Sequence, residues 1–198
     1  MDSFPSESVK IGIVVASGTD EDFYIESVNA VRCELRSWLP QADFELINLD
    51  DYPLPLINHP NGTFTWWKEP SPLAALNWVR KIRAFDGYLF MPNGLIGYQI
   101  LFNALNTIET ELAYKPGDVI ALGGTEMEGL LDSFRAELIG LRNLPLSNGF
   151  ELSEQEADLQ REIHGGHFPK LHEIKIKRLL KDLIDVAYAL SDRPPLYR

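Results

Sequence analysis

The segment Val9–Asp22, VKIGIVVASGTDED, constrains the fold more than any other stretch of the chain. Val9, Ile11, Ile13, Val14 and Val15 form a nearly continuous apolar run, which suits a central parallel strand covered on both faces. Ala16, Ser17, Gly18 and Thr19 then place small residues and hydroxyls where such a strand would turn into a helix. In open α/β sheets that position commonly receives a phosphate, because free backbone N–H groups and a helix dipole point at it. Here Asp20, Glu21 and Asp22 follow at once, and acidic residues are also good caps of a helix N-terminus. Two readings stay open: an anion site that has lost its anion, and an ordinary capped helix start.

The rest of the chain alternates strand-like and helix-like segments. Phe23–Leu39 carries Ile25, Val28, Val31, Leu35 and Leu39 at helical spacing and ends at Pro40. Phe44–Leu49 reads as a second strand. Asp50–Pro72 is a long connection containing prolines and tryptophans, a length that usually marks function or a partner contact. Leu73–Arg83 reads as a helix with Leu73, Leu76 and Val79 on one face and Trp78 beside it. Asp86–Met91 is a third strand, followed by PNGLIG as a loop. Gln99–Ala113 is a helix with Leu101, Leu105, Ile108 and Leu112 on one face. Pro116–Leu122 is a fourth strand, GGTEMEG its loop, Leu130–Leu141 a helix and Asn143–Leu146 a short fifth strand. This alternation implies right-handed crossovers and a parallel sheet with helices on both faces. Glu151–Ile163 is polar and acidic, and Lys170–Leu190 is an amphipathic helix expected to complete the second layer. The reading is one domain over 1–198, with a core over about 9–147, a helical segment over 150–190 and a tail over 191–198.

Bulk composition narrows the function. A formal charge of −11 argues against nucleic acid or an anionic membrane as a partner. The start MDSFPSESVK lacks the apolar centre of a secretory signal, and Pro92, Asn93, Gly94, Gly97 and Gln99 interrupt the apolar stretch Tyr88–Leu105. The single cysteine, Cys33, rules out an intrachain disulfide and is expected to pack on its helix. A cytoplasmic protein is expected. His164 and His167, in HGGH, lack a carboxylate or cysteine at reliable ligand spacing, so no metal site is assigned.

Five segments in order carry a family resemblance: KIGIVVAS, NLDDYPLPL, FDGYLFMP, LFNALNTI and ALGGTEMEGLLDSFRAEL. Together they resemble the NADPH-dependent FMN reductase family, whose members are flavodoxin-like. The resemblance implies a flavodoxin-like three-layer α/β sandwich with a five-stranded parallel sheet in the order 2-1-3-4-5. It also implies FMN and NADPH as cofactors. FMN would lie in three loops: Ser17, Gly18, Thr19 and Asp22 at the phosphate; Pro92, Asn93, Gly94 and Leu95 along the ring; Gly123, Gly124 and Thr125 in the third. Ser17 and Pro92 match the family pattern. Thr19 stands where the family has arginine, Asp22 where it has a second basic or hydroxyl residue, and Asn93, Gly94 and Leu95 replace the residues after the proline.

A carboxylate about 5 Å from a phosphate charge costs roughly 3 kcal/mol at an effective dielectric near 20, before screening. Losing an arginine fork removes a further 1.5–3 kcal/mol or about that. Two functions therefore compete. One is an NADPH-dependent FMN or quinone reductase-type flavoprotein that binds FMN weakly, with no catalytic side chain of its own because cofactors carry hydride chemistry. The other is a flavin-free binding or interaction module. The family commonly forms dimers. Trp66 and Trp67, next to Phe64 in the long connection, suit either stacking on a planar ligand or burial against a second subunit, and the enrichment of aromatics at interfaces favours the second, a homodimer or higher homo-oligomer.

Overall fold

The structure is a computed structural model that describes residues 8–17, 32–55, 71, 73–108, 110–122, 129–147, 149–152 and 172–191. Its centre is β1 (Val9–Ala16), flanked in parallel by β2 (Ala42–Asn48) and β3 (Gly87–Pro92). β4 (Pro116–Leu122) pairs with β3, and β5 (Leu144–Pro145) pairs with β4, so the order is the expected 2-1-3-4-5, all parallel. Both faces of β1 are buried. Val9, Ile11, Ile13 and Val15 enter one core and Val14 and Ala16 the other, all at 4% exposure or less. Burying each valine or isoleucine contributes about 1.5–3 kcal/mol relative to exposure, which is why this run becomes the central strand.

The first core lies under α1, a helix over 32–38, and α5 (Glu173–Ser191). Leu35 of α1 and Ile176, Leu179, Leu180, Leu183, Ile184 and Ala187 of α5 close that layer. The second core lies under α2 (Ala74–Ile82), α3 (Gly94–Leu105) and α4 (Leu130–Gly140). The expected helix over Phe23–Leu39 is met at its C-terminal end; its beginning lies outside the described residues. Cys33 is exposed rather than packed, because the inward stripe of α1 runs through Leu35.

Three elements depart from expectation. α2 turns a different stripe inward: Ala74, Trp78 and Ile82 are buried, while Leu73 and Leu76 are 62% and 45% exposed. The largest side chain decides this, since burying the indole outweighs burying either leucine, and its Nε1 donates to the Ala104 carbonyl at 3.0 Å. α3 begins at Gly94, so the expected PNGLIG loop is a strand end followed by the first helical turn. The same helix stops at Leu105 instead of Ala113. Asn106 Nδ2 and Thr107 Oγ1 bond back to the carbonyls of Phe102 and Ala104, at 2.9 and 2.7 Å, and compete with helix continuation. Ile108 and Leu112 are buried as expected, but beyond the end of the helix rather than on it.

The third departure is the sheet edge. The expected fifth strand Asn143–Leu146 shrinks to Leu144–Pro145, and an unexpected β6 (Phe150–Leu152) pairs in parallel with Ile120–Leu122 further along β4. The edge position is thus filled by two short pieces with a break between them.

Candidate functional site

The order 2-1-3-4-5 reverses direction between β1 and β3, and ligands of such sheets bind beyond the carboxyl ends of the strands at that point. Ala16 and Pro92 are register partners there, and Asn93 N–H donates to the Ala16 carbonyl at 2.8 Å. Ser17 and Asn93 therefore leave the sheet side by side. Ser17 is buried at 2% exposure. Asn93 caps α3 in extended conformation, and its side chain makes no cap bond to the helix.

Gly94 has φ +61°, a region open to glycine, and this allows the chain to turn from strand to helix in one residue. Three residues on, a Cβ at Gly97 would overlap the Ala16 carbonyl oxygen, so α3 lies against the end of β1 only because that atom is missing. The first turn carries Leu95 and Ile96, 40% and 43% exposed. Gly97 N–H makes the first bond of the helix, to Asn93 O at 3.1 Å, which leaves the preceding N–H groups of the turn without partners inside the helix.

The mouth thus offers uncharged N–H donors and an apolar ledge. Residues 11–31, 84–114 and 116–134, which contain all three expected ligand loops, hold no lysine or arginine. The same loops hold Asp20, Glu21, Asp22, Glu126 and Glu128. Uncharged donors beside an apolar surface fit the neutral planar ring of a flavin. A set with acids and no cation does not fit the dianionic phosphate of FMN.

Of the expected site residues, Ser17, Pro92, Asn93, Gly94 and Leu95 are brought together at the switch point. Gly18, Thr19, Asp22, Gly123, Gly124 and Thr125 lie outside the described residues, as do Phe64, Trp66, Trp67, His164 and His167. Among the described residues there is no cluster of side chains that could hold a metal ion.

A buried carboxyl escaped the sequence reading. Asp118, in the middle of β4, is 1% exposed. Its Oδ1 accepts from Ser147 Oγ at 2.8 Å and from Val119 N–H at 3.0 Å, while Oδ2 is buried without a hydrogen-bond partner. Ser147 in turn accepts from Gly149 N–H at 2.9 Å. Gly149 has φ +68°, and a Cβ there would overlap Val119. Asp118 and the break between β5 and β6 are therefore one local arrangement. The available signal was a lone acid inside the apolar run PGDVIAL.

No family model matches the sequence, and no curated protein matches it. Solved structures do. RosB, solved with bound 8-demethyl-8-formylriboflavin-5'-phosphate, is 11% identical with a TM-score of 0.64, over 94% of this chain and 82% of that one. FerB, a flavoenzyme NAD(P)H:(acceptor) oxidoreductase from Paracoccus denitrificans, is 14% identical with a TM-score of 0.61, over 91% of this chain and 98% of that one. An oxidoreductase from Corynebacterium diphtheriae is 14% identical with a TM-score of 0.54, over 91% and 98%. The chain shares the flavodoxin-like fold with these structures, and the expected resemblance holds at the level of the fold.

Proposed function

We propose that the chain is a reductase-type flavoprotein that uses NADPH and a flavin seated by its ring at the β1–β3 switch point. One observation carries this reading: the pairing of Ala16 with Pro92 sets Ser17 beside Asn93, Gly94 and Leu95, two sequence-distant segments that the resemblance assigned to one ligand. When bound, a flavin supplies the hydride chemistry itself, and the protein contributes position and exclusion of water. Charge sets the preference among flavins. Five acids and no base in the three loops disfavour a phosphate and leave the ring indifferent.

Fluorescence titration with riboflavin and with FMN, followed by NADPH oxidation with each flavin added, tests the reading. FMN is expected to bind with a dissociation constant at or above the micromolar range, with riboflavin at least as tight. NADPH oxidation is expected to depend on added flavin. Nanomolar FMN binding would overturn the charge argument. A colourless protein that ignores both flavins would instead support the second reading, a flavin-free interaction module, which the same acidic loops favour.

No helix among the described residues is long and apolar enough to cross a membrane. The proposal places the protein in the cytoplasm as a homodimer or higher homo-oligomer, without nucleic-acid or membrane partners. Exposed Leu73 and Leu76 on α2 follow closely in sequence on Trp66 and Trp67 and support an oligomer. Light scattering that finds only monomer at tens of micromolar would reject it.

A further inference from the structure

The outer edge of β4 is covered by two pieces of chain that do not meet. Pro145 of β5 is the register partner of Gly117, and Phe150 of β6 is the register partner of Ile120. Residues 146–149 of the edge chain therefore cross a gap in which β4 has only Asp118 and Val119. Among the described residues neither of these two has a strand partner on that side. Beyond the gap, Leu152 anchors β6, buried with Ile120 in the core under α5.

The Asp118 carboxyl lies at this gap, and its two oxygens are placed differently. Oδ1 accepts from Ser147 Oγ and Val119 N–H, whereas Oδ2 is buried with no hydrogen-bond partner. Because Ser147 Oγ also accepts from Gly149 N–H, one hydroxyl ties the crossing segment to the carboxyl. The elements packed around the group bring two charges near it, Arg135 from α4 and Lys175 from α5, while β3 brings Leu89 as register partner. Neither cation hydrogen-bonds Oδ2. A proton on Oδ2 leaves one neutral hydroxyl buried without a partner. Its removal leaves a buried charged oxygen without a donor, which costs far more.

We propose that Asp118 is a proton-operated latch for β6. With the carboxyl neutral, β6 stays paired with the end of β4. With the carboxylate formed, water enters at the gap to supply the donor that Oδ2 lacks, the crossing segment lifts, and β6 separates from Ile120–Leu122. The only covalent change is the O–H bond of the carboxyl, whose proton passes to water. The opening frees the carboxyl end of β4, the end of the sheet at which the switch point lies.

Electrostatics agree with the geometry. Burial is the largest influence and raises the Asp118 pKa, while the Ser147 and Val119 bonds and the charges of Arg135 and Lys175 oppose the rise. In the open form the carboxyl meets water and returns to an ordinary value, about 3.9. Below that value the closed form is favoured in full. Between it and the raised native value, each pH unit favours opening by up to about tenfold, the limit for release of one proton. Above the native value both forms are ionised and the effect levels off.

Hydrogen exchange of the full-length protein from pH about 4 to about 8, read by peptide mass spectrometry and corrected for the intrinsic rate at each pH, tests the latch. Peptides containing β6 are expected to lose protection with rising pH, by up to about tenfold per pH unit, and then to level off. Peptides of β1 and β2 should keep theirs. Asp118→Asn, whose amide cannot ionise but still accepts from Ser147 and Val119, should flatten the β6 profile. Ser147→Ala removes a bond that favours the carboxylate, so the levelling-off should move to higher pH, whatever protection is left at the acid end. Should Asp118→Asn fail to fold, the parent profile and Ser147→Ala decide between them. Protection of β6 that is flat in the parent, or that falls in step with β1 and β2, overturns the proposal. A fall that survives in Asp118→Asn, or a levelling-off that Ser147→Ala leaves in place or moves down, assigns the proton to another group and overturns it as well.

Discussion

Asp118 is a carboxyl in a place that suits a neutral group. Burial raises its pKa, and the Ser147 and Val119 bonds together with the charges of Arg135 and Lys175 oppose that rise. Because the native pKa lies above the unfolded one, the favourable contribution is complete below the unfolded value, about 3.9, and is lost as pH rises through the native value. Asp118→Asn removes that pH dependence. The melting temperature of the variant minus that of the parent should rise as pH goes from about 4 to about 8, whatever fixed cost the amide adds. A difference that stays flat across this range would mean that the carboxyl ionises as readily in the native protein as in the unfolded chain. Gly97 gives a second test at this scale. In Gly97→Ala the new methyl meets the backbone oxygen of Ala16, which has no rotamer in which to retreat. A loss of about 1–3 kcal/mol is expected by urea unfolding, together with weaker flavin binding because the end of α3 is displaced.

Element boundaries follow from contacts that no local pattern contains. In α2 the sequence shows two plausible stripes, and Leu73–Leu76–Val79 looks the better by hydrophobicity alone. Trp78 decides for the other, through a bond to Ala104 at the far end of α3 and an edge-to-face contact with Tyr52 at 5.6 Å. Trp78→Ala is therefore expected to cost about 3–5 kcal/mol. Leu76→Ala should stay within about 0.5 kcal/mol, and equal losses by urea denaturation would restore the stripe read from sequence. The strand order was legible because parallel strands buried on both faces are continuous apolar runs, and a chain of alternating strands and helices has few ways to wind. The early start of α3 was not, because a glycine-containing PNGLIG reads as a loop until Ala16 is placed beneath it. The split edge strand was not legible either, since Asp118, Ser147 and Gly149 come together only once β4 is paired.

For the molecule as a whole, charge decides between ligands that share a ring. The formal charge of −11 repels an anion at any distance the salt does not screen, and Asp20, Glu21, Asp22, Glu126 and Glu128 fall in the segments that the resemblance assigns to the ligand. KIGIVVAS and FDGYLFMP were legible as strands, and the structure sets their ends side by side at the switch point. The charge of the first loop was legible as well, while Thr19 and Asp22 lie outside the described residues. Three salt dependences follow. Riboflavin affinity should be nearly independent of ionic strength, because the ligand is neutral. FMN affinity of the parent protein should improve as salt rises, because salt screens a repulsion. In the double variant Thr19→Arg, Asp22→Arg, one acid is removed and two guanidinium groups are added, which turns the repulsion into attraction. FMN should then bind about ten- to a hundredfold tighter at low salt, corresponding to about 1.4–2.8 kcal/mol after discounting for exposure. That gain should shrink towards the parent as the Debye length falls below about 10 Å, near 0.1 M salt and above. The affinity is not expected to become nanomolar, because Asn93, Gly94 and Leu95 still replace the residues that the resembled family places along the ring. Isothermal titration of both proteins with both flavins at two salt concentrations measures all of these slopes. An FMN affinity of the parent that weakens with salt would reveal a cation at the phosphate from elsewhere in the chain or from a second copy of it.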